Sequence, residues 1–297
     1  MKIKQWIEAA RLRTLPLSVA GIIVGCGMAY ADGMFSTLLL ALLIATTVLL
    51  QVLGNFANDL GDFQHGTDNE NRVGPKRTLQ GGGLSVPEMK RGIVLMVALA
   101  FAVGILMLWC SFGFGKWFWL FVGIGVAAIV AALRYTMGHN PFGYRGLGDL
   151  MVLIFFGFAT VVGSYFIMAH QITLNTLLMG AAIGLMSVGV LNVNNLRDSA
   201  SDRLSGKRTI VVKFGTQFGQ LYHLILCLLA VALVAISLIM RHKWLNLLWI
   251  VLPAVLLIAH GVRVFRTADV KTLDPELKKL SLTTLLMSIM YAVAVVF

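Results

Sequence analysis

The chain has 297 residues, of which 58% are hydrophobic and 12% are charged, with a formal net charge of +11. Soluble domains are nearer half apolar and a quarter charged, so this composition and a mean hydropathy of +0.85 exclude an ordinary soluble protein. The excess of Lys and Arg is better explained by membrane topology than by nucleic-acid binding, and we expect contact with membrane lipid and none with nucleic acid.

Nine apolar runs are long enough to cross a bilayer, which requires roughly 17–25 residues each. The first run leads directly into a second one, so we predict a retained helix rather than a signal peptide. The fold class predicted is all-α, one polytopic domain over residues 1–297. Its spans are at 15–31, 35–57, 91–113, 116–135, 148–169, 173–195, 217–240, 244–265 and 279–297.

The basic residues are distributed unequally between the two sides that nine spans define. Of the 24 Lys and Arg residues, all except Lys116, Arg241 and Lys243 fall on the side of the N-terminus. The positive-inside rule therefore predicts a cytoplasmic N-terminus and an outer C-terminus. Asp32 is the one acidic residue on the outer side, so the chemistry is expected on the cytoplasmic side.

Two polar loops follow the second and sixth spans, and they resemble each other. Each begins with Asn and paired Asp and reaches Lys-Arg-Thr, which predicts a weak internal repeat of four helices, about 1–140 and 141–270. Functional sites of membrane proteins often lie where such halves meet. The first loop supplies Asn58, Asp59, Asp62, Asp68, Lys76 and Arg77, and the second supplies Asn194, Asn195, Asp198, Asp202, Lys207 and Arg208.

The acidic residues are spaced to share a helix face. Asn58 and Asp62 are four residues apart, as are Asp198 and Asp202, and residues at this spacing are neighbours on a helix. Carboxylates at a helix C-terminus oppose the macrodipole and repel one another unless a cation intervenes. Mg²⁺ accepts such oxygen ligands together with phosphate oxygens, and the adjoining Lys and Arg bind phosphate.

These loops therefore predict a diphosphate site with Mg²⁺, next to an apolar helix bundle. Calcium storage would explain the acids but not the bases, and an ion pathway would place acids deep within the spans. A polyprenyl diphosphate has both a head for the metals and a tail for the bundle. The run Gly81-Gly82-Gly83 lacks the order of a phosphate-binding loop and is interpreted as a flexible hinge or turn.

The motifs resemble those of the membrane-embedded prenyltransferases that include the 4-hydroxybenzoate polyprenyltransferases. NDLGDFQHG at 58–66 is similar to their first motif, although Gly66 stands where an acid is usual, and Asp198 and Asp202 match the second. The closer resemblance is to the 1,4-dihydroxy-2-naphthoate polyprenyltransferases of menaquinone synthesis. It is carried by PFGYRGLGD at 141–149 and NNLRDSASDRLSGKRTIVVKFG at 194–215. The N-terminal segment also resembles theirs, although Leu12 stands where Pro is usual.

The resemblance implies prenylation of 1,4-dihydroxy-2-naphthoate by a polyprenyl diphosphate, with decarboxylation, in a bacterial inner membrane. It implies two Mg²⁺ ions, one held by Asn58, Asp59 and Asp62 and one by Asp198 and Asp202. Asn194 or Asn195 would assist the second ion, and Asp68 is an alternative ligand or a loop cap. Lys76, Arg77, Lys207 and Arg208 would bind phosphate oxygens.

Further residues are candidates for the acceptor and the carbocation. Arg145 is expected to clamp the acceptor carboxylate or the diphosphate, and Arg13 and Arg134 are weaker candidates that also fit positive-inside anchors. Aromatic faces stabilise cations, and the candidates for this role are Tyr135, Tyr144, Phe142 and Phe56. Their positions are equally consistent with core packing. Roles remain open for Asp149, as an orienting group or a helix cap, and for His65 and Lys213.

Three alternative functions are also consistent with the sequence. Another aromatic acceptor, such as 4-hydroxybenzoate or homogentisate, would use the same motifs. A transporter would place charged or broken helices at mid-membrane, and few candidates are present. A lipid-phosphate-binding protein without catalysis would need only one head-group site, whereas this chain has two matched acidic motifs.

Overall fold

A computed structural model describes residues 2–67, 77–139 and 141–297, without the Arg13 side chain, and over these residues the fold is helical and contains no β-strand. The twelve α-helices are α1 (Lys2–Ala10), α2 (Leu15–Ala31), α3 (Thr37–Gln64), α4 (Val86–Phe112), α5 (Lys116–Arg134), α6 (Gly148–Ala169), α7 (Leu174–Arg197), α8 (Ser199–Leu204), α9 (Ile210–Phe214), α10 (Thr216–Met240), α11 (Leu247–Arg266) and α12 (Asp274–Val296).

Eight of the helices in the described ranges are long and apolar enough to cross a membrane. Helix α2 has 17 residues and is long and apolar enough only together with α1, from which it is bent by 52°; counted as one bent span, the pair would be the ninth. The predicted all-α bundle is therefore confirmed, and the boundaries differ by a few residues. The largest difference is at α3, which continues to Gln64 instead of ending at 57 and so carries the first acidic pair.

Helix starts follow ordinary capping chemistry. Ser85 and Glu88 form a capping box at the start of α4, Thr173 and Thr176 form one at the start of α7, and the Ser36 side chain accepts from Leu39 N at α3. These side chains satisfy the backbone N–H groups that the first turn of a helix leaves without partners. Local sequence thus sets where the long helices begin.

Among the described residues the helices pack into three apolar clusters. One joins α2, α6, α7, α10, α11 and α12, a second joins α1, α3 and α4, and a third joins α2, α3, α4, α5 and α6. Helix α6 contains a π-helical segment at Leu153–Ala159, where Gly157 packs against α7 so closely that a Cβ would lie 2.7 Å from Gly184 Cα. Small residues permit this approach of two backbones.

Candidate active site

The first acidic pair lies in the last turns of α3. Asp59 is 1% exposed and Asp62 is 5% exposed. The preceding Asn58 has its Oδ1 atom 3.1 Å from Thr136 Oγ1, in the turn that follows α5. A Cβ at Gly61 would lie 2.6 Å from the Thr136 backbone, so only glycine allows α3 to approach that turn this closely.

The second acidic pair lies where α7 ends. We expected Asp198 and Asp202 on one continuous helix, whereas α7 ends at Arg197 and α8 begins at Ser199. The backbone nevertheless keeps the four-residue spacing, because Asp202 N donates to Asp198 O over 2.8 Å. Both carboxylates are buried.

Lys207 joins the two acidic pairs. Its Nζ atom lies 3.2 Å from Asp62 Oδ1 and 3.8 Å from Asp202 Oδ1. The same ammonium is 4.7 Å from the centre of the Tyr144 ring, whose hydroxyl donates to Asp62 Oδ1 over 2.8 Å. Two motifs far apart in sequence therefore form one polar cluster, which we call the acid end of the bundle.

Two arginines neutralise the first pair. Arg77 Nη1 lies 3.0 Å from Asp59 Oδ1, and its Nη2 lies 3.5 Å from Asp62 Oδ2. Arg11 Nη2 lies 2.5 Å from Asp59 Oδ1. The sequence analysis did not select Arg11, because its approach to α3 depends on the break between α1 and α2, where Arg11 has a φ of 50°.

Arg197 neutralises Asp198 of the second pair and was also not predicted. Its Nε and Nη2 atoms donate to the two Asp198 oxygens over 2.8 and 2.6 Å. Nη2 also donates to Asn194 Oδ1 over 2.9 Å, and Nη1 pairs with Asp274 at the start of α12. The side chain is 2% exposed, so this buried guanidinium links Asp198 to α12.

A cavity of about 1900 Å³ opens beside these carboxylates. Asn195 lines its polar part, where Tyr135, Phe142 and Tyr144 add aromatic surface, and the rest is mainly apolar. Burial and the nearby carboxylates of Asp149, Asp62 and Asp202 raise the pKa of Tyr135 above its ordinary value, so its phenol is neutral at physiological pH.

Several predicted residues are not part of this cluster. The Arg145 and Arg208 side chains are exposed and do not line the cavity; Arg208 contributes its backbone N–H, which donates to Tyr144 O over 2.9 Å. Phe56 packs against Trp6 in the core, and Asp149 accepts a hydrogen bond from Tyr222. The remaining weaker candidates are exposed: Arg134, His65 and Lys213.

Three predicted positions lie outside what the structure describes. They are Asp68, Lys76 and the side chain of Arg13.

The donor set fits Mg²⁺ only if a ligand supplies part of the coordination shell. Among the described residues no group of three Asp, Glu, His or Cys side chains is arranged to hold a metal ion. Each pair offers two carboxylates, and Mg²⁺ commonly takes one or two from the protein and the rest from water and phosphate. The Lys207 ammonium between Asp62 and Asp202 shows that positive charge is stabilised there.

Residues 18–294 match the model of the UbiA prenyltransferase family. The chain belongs to the UbiA prenyltransferase family. Two relatives are named 1,4-dihydroxy-2-naphthoate octaprenyltransferase. The protein from Haemophilus influenzae is 40% identical over 295 residues, which cover 98% of this chain and 95% of the relative. The protein from Escherichia coli is 38% identical over 297 residues, which cover 99% of this chain and 96% of the relative. The resemblance predicted from the Asp motifs is confirmed.

Solved structures of UbiA homologues share the fold. The apo homologue from Aeropyrum pernix superposes with a TM-score of 0.69 at 18% identity, with 96% of each chain covered. A homologue from Archaeoglobus fulgidus, bound to GPP and Mg²⁺, gives a TM-score of 0.68 at 15% identity, with 98% of this chain and 99% of the homologue covered. At these identities the likeness concerns the fold.

Proposed function

We propose that this UbiA-family protein transfers a polyprenyl group from a polyprenyl diphosphate to 1,4-dihydroxy-2-naphthoate, with loss of the carboxylate as CO₂. The products are demethylmenaquinol and diphosphate. The names of the relatives at 38–40% identity support the acceptor, and the Mg²⁺-bound structures of more distant homologues support the metal.

The observation that carries this proposal is the position of Lys207. Its ammonium joins Asp62 of one motif and Asp202 of the other at the mouth of a mainly apolar cavity. A charged head group and a long apolar tail are the two parts of a polyprenyl diphosphate. Such a ligand uses both the cluster of charges, which can bind metal and phosphate, and the apolar cavity.

We assign one Mg²⁺ to each acidic pair. Asp59, Asp62 and Asn58 would hold one ion, and Asp198 and Asp202, with Asn194 or Asn195, the other. Bound there, Mg²⁺ supplies neutralisation of the diphosphate charge, which grows as the group leaves.

The basic side chains of the acid end would bind the diphosphate. Arg77 and Lys207 form ion pairs with carboxylates in this structure, and they would contact phosphate oxygens if those carboxylates bind metal. The allylic C–O bond breaks with its electron pair on diphosphate, and a ring carbon of the acceptor forms the new C–C bond. The bond between the ring and the carboxylate breaks, CO₂ leaves, and the electron pair of that bond stays on the ring. The aromatic faces of Tyr135, Phe142 and Tyr144 stabilise the cationic carbon, and the apolar wall excludes water.

Arg11 replaces Arg145 as the expected partner of the acceptor carboxylate. Arg11 lines the cavity and Arg145 does not. Next to Arg11, Asn55 Nδ2 donates to Thr14 Oγ1 over 3.3 Å, and Gln51 Nε2 donates to the same oxygen over 3.1 Å. This polar wall offers hydrogen bonds to the two hydroxyl groups of the naphthoate.

The distribution of basic residues supports an orientation in the bacterial cytoplasmic membrane. The acid end lies on the side that carries most Lys and Arg residues, so we propose that it faces the cytoplasm, with the N-terminus inside and the C-terminus outside.

The test uses purified protein in detergent with Mg²⁺, octaprenyl diphosphate and 1,4-dihydroxy-2-naphthoate, and detects the prenylated naphthoquinone by mass spectrometry. Asp202→Asn removes the charge without changing the shape, and Asp269→Asn, at an exposed acid outside the cavity, is the matched control. We expect product from the wild type and the control and a loss of at least about 10²-fold for Asp202→Asn. Product with 4-hydroxybenzoate and none with naphthoate would refute the proposed acceptor.

A further inference from the structure

Two glycines that precede or begin α6 pack against the side chain of Tyr135, the residue that follows α5. A Cβ at Gly143 would lie 3.2 Å from the Tyr135 ring, and a Cβ at Gly148 would lie 2.9 Å from its hydroxyl oxygen. The Gly143 N–H also donates to Tyr135 O over 3.0 Å. A side chain at either glycine would displace Tyr135, so the segment Gly143–Gly148 depends on glycine for its close approach to this ring.

A small cavity lies beside the same ring. Its volume is about 20 Å³, and its polar lining comes from Tyr135, Asp149, Asn195 and Thr209. One water needs about 10–15 Å³ and two or more polar partners, so this cavity has room for a single water. Tyr135 and Asn195 also line the large cavity, so the two cavities adjoin at these side chains.

The Asp149 carboxylate is held in place next to the small cavity. Tyr222 of α10 donates its hydroxyl hydrogen to Asp149 Oδ2 over 3.0 Å. Asp149 is not the N-cap of α6, since Leu147 occupies that position. A carboxylate accepts several hydrogen bonds, so Asp149 can accept one from a water as well as one from Tyr222.

Tyr135 and Asp149 lie close enough to influence each other. Burial is the main reason why the pKa of Tyr135 lies above its ordinary value, and Asp149 is the first of the carboxylates that raise it further. The phenol is therefore a neutral hydrogen-bond donor, and Asp149 is an acceptor. A water in the small cavity can bridge the two.

We infer that the segment from Gly143 to Asp149 positions Tyr135 for the reaction: the glycines hold its ring, and Asp149 holds its hydroxyl through a water in the small cavity. Tyr135 donates to this water, and the water donates to Asp149. The inference rests on the proposed function, which places the Tyr135 ring next to the cationic carbon. A ring face stabilises a cation only in the right orientation, so a loosely held ring lowers the rate of the chemical step and not the affinity for substrate.

A double-mutant cycle tests whether Asp149 acts through Tyr135. Asp149→Ala removes the hydrogen-bond acceptor, Tyr135→Phe removes the hydroxyl and keeps the ring, and a third protein combines the two. Asp149→Asn keeps an acceptor oxygen and replaces the alanine variant if that variant does not fold. Tyr165→Phe is the matched control, because the Tyr165 hydroxyl donates to Asp32 over 2.7 Å at the other end of the bundle and does not line the large cavity.

The measurement is kcat and both KM values with Mg²⁺, octaprenyl diphosphate and 1,4-dihydroxy-2-naphthoate. We expect Asp149→Ala and Tyr135→Phe each to lower kcat about tenfold, with KM values within about twofold of the wild type, and the double variant to have the kcat of Tyr135→Phe. Asp149→Asn should retain at least about half of kcat. Tyr165→Phe should lower the unfolding temperature and leave kcat unchanged.

Gly148→Ala provides a second test that leaves Asp149 unaltered. The Cβ of the alanine would meet the Tyr135 hydroxyl oxygen, an atom that Tyr135→Phe lacks. We expect Gly148→Ala to lower kcat about tenfold in the wild-type background and less than about twofold in the Tyr135→Phe background.

Equal losses from Asp149→Ala in the wild-type and Tyr135→Phe backgrounds would overturn the inference, because Asp149 would then act without Tyr135. Wild-type kcat in Asp149→Ala would overturn it as well. A high-resolution structure of the wild type separates this failure from a failure of the proposed function, because a water bound between Tyr135 and Asp149 does not depend on the acceptor. If that water is present and no naphthoate is prenylated, the positioning contact stands and the proposed acceptor is refuted.

Discussion

Lys207 Nζ lies 3.2 Å from Asp62 Oδ1, and this contact joins two segments that are 145 residues apart. The ammonium is also 3.8 Å from Asp202 Oδ1. Without a cation at this position, two buried carboxylates would face each other, which is unfavourable in a region of low dielectric. Lys207 therefore holds the acid end together before metal and substrate bind.

Replacement of Lys207 by Met is expected to lower kcat/KM for the prenyl diphosphate by about 10- to 100-fold, because a charge-assisted hydrogen bond contributes about 1.5–3 kcal/mol. Lys207→Arg should retain part of the activity, since it keeps the charge. Lys213→Met, at an exposed lysine that lies over Phe214, is the control. Equal kinetics for Lys207→Met and the control would show that the contact is not used by substrate.

Arg197→Met is expected to destabilise the protein by about 3–5 kcal/mol, because it leaves the buried Asp198 carboxylate without its two-point partner. Asp274→Asn should cost less than about 1 kcal/mol, since that side chain is 39% exposed. Thermal unfolding in detergent measures both. The double variant should be less destabilised than the sum of the single variants, and strict additivity would argue against the Arg197–Asp274 pair.

Asp32 is expected to act in stability and not in catalysis. At the end opposite the acidic pairs it accepts a hydrogen bond from the Tyr165 hydroxyl over 2.7 Å and pairs with Arg241. Asp32→Ala should lower the free energy of unfolding by roughly 2 kcal/mol and leave kcat and KM of the folded fraction unchanged. A change in KM for either substrate would connect this end of the bundle to the reaction.

Tyr135 is expected to remain a neutral phenol across the working pH range. Its pKa is raised by burial and by carboxylates, so the protonated form is favoured up to and beyond the ordinary titration range near 10. The alkaline limb of the pH–rate profile should therefore be the same in the wild type and in Tyr135→Phe. An alkaline limb that disappears in Tyr135→Phe would show that the phenol titrates and takes part as a base.

Sequence patterns predicted the helices and the two acidic pairs because both are local signals. Long apolar runs define the spans, and Asn58, Asp59 and Asp62 stand out in a chain that is 12% charged. The span predicted from hydropathy ended at 57, whereas α3 continues through polar residues as far as Gln64. Hydropathy does not indicate that a helix continues beyond its apolar part.

The partners of the carboxylates were less predictable because they depend on tertiary packing. The contact of Arg11 with Asp59 depends on the bend between α1 and α2, which the sequence pattern does not show. Arg197 resembled a topology determinant in the sequence, and only the position of α12 reveals its contact with Asp274. Arg145 was expected in the site and is exposed at the surface instead.

The most direct test of the shared head-group site is Mg²⁺-dependent binding of a non-reactive thio analogue of octaprenyl diphosphate, measured by calorimetry on purified protein. We expect binding to the wild type only with Mg²⁺, and a loss of at least about tenfold in affinity for both Asp62→Asn and Asp202→Asn, with none for Asp269→Asn. If either acidic pair can be altered without loss of affinity, the two motifs do not form one head-group site.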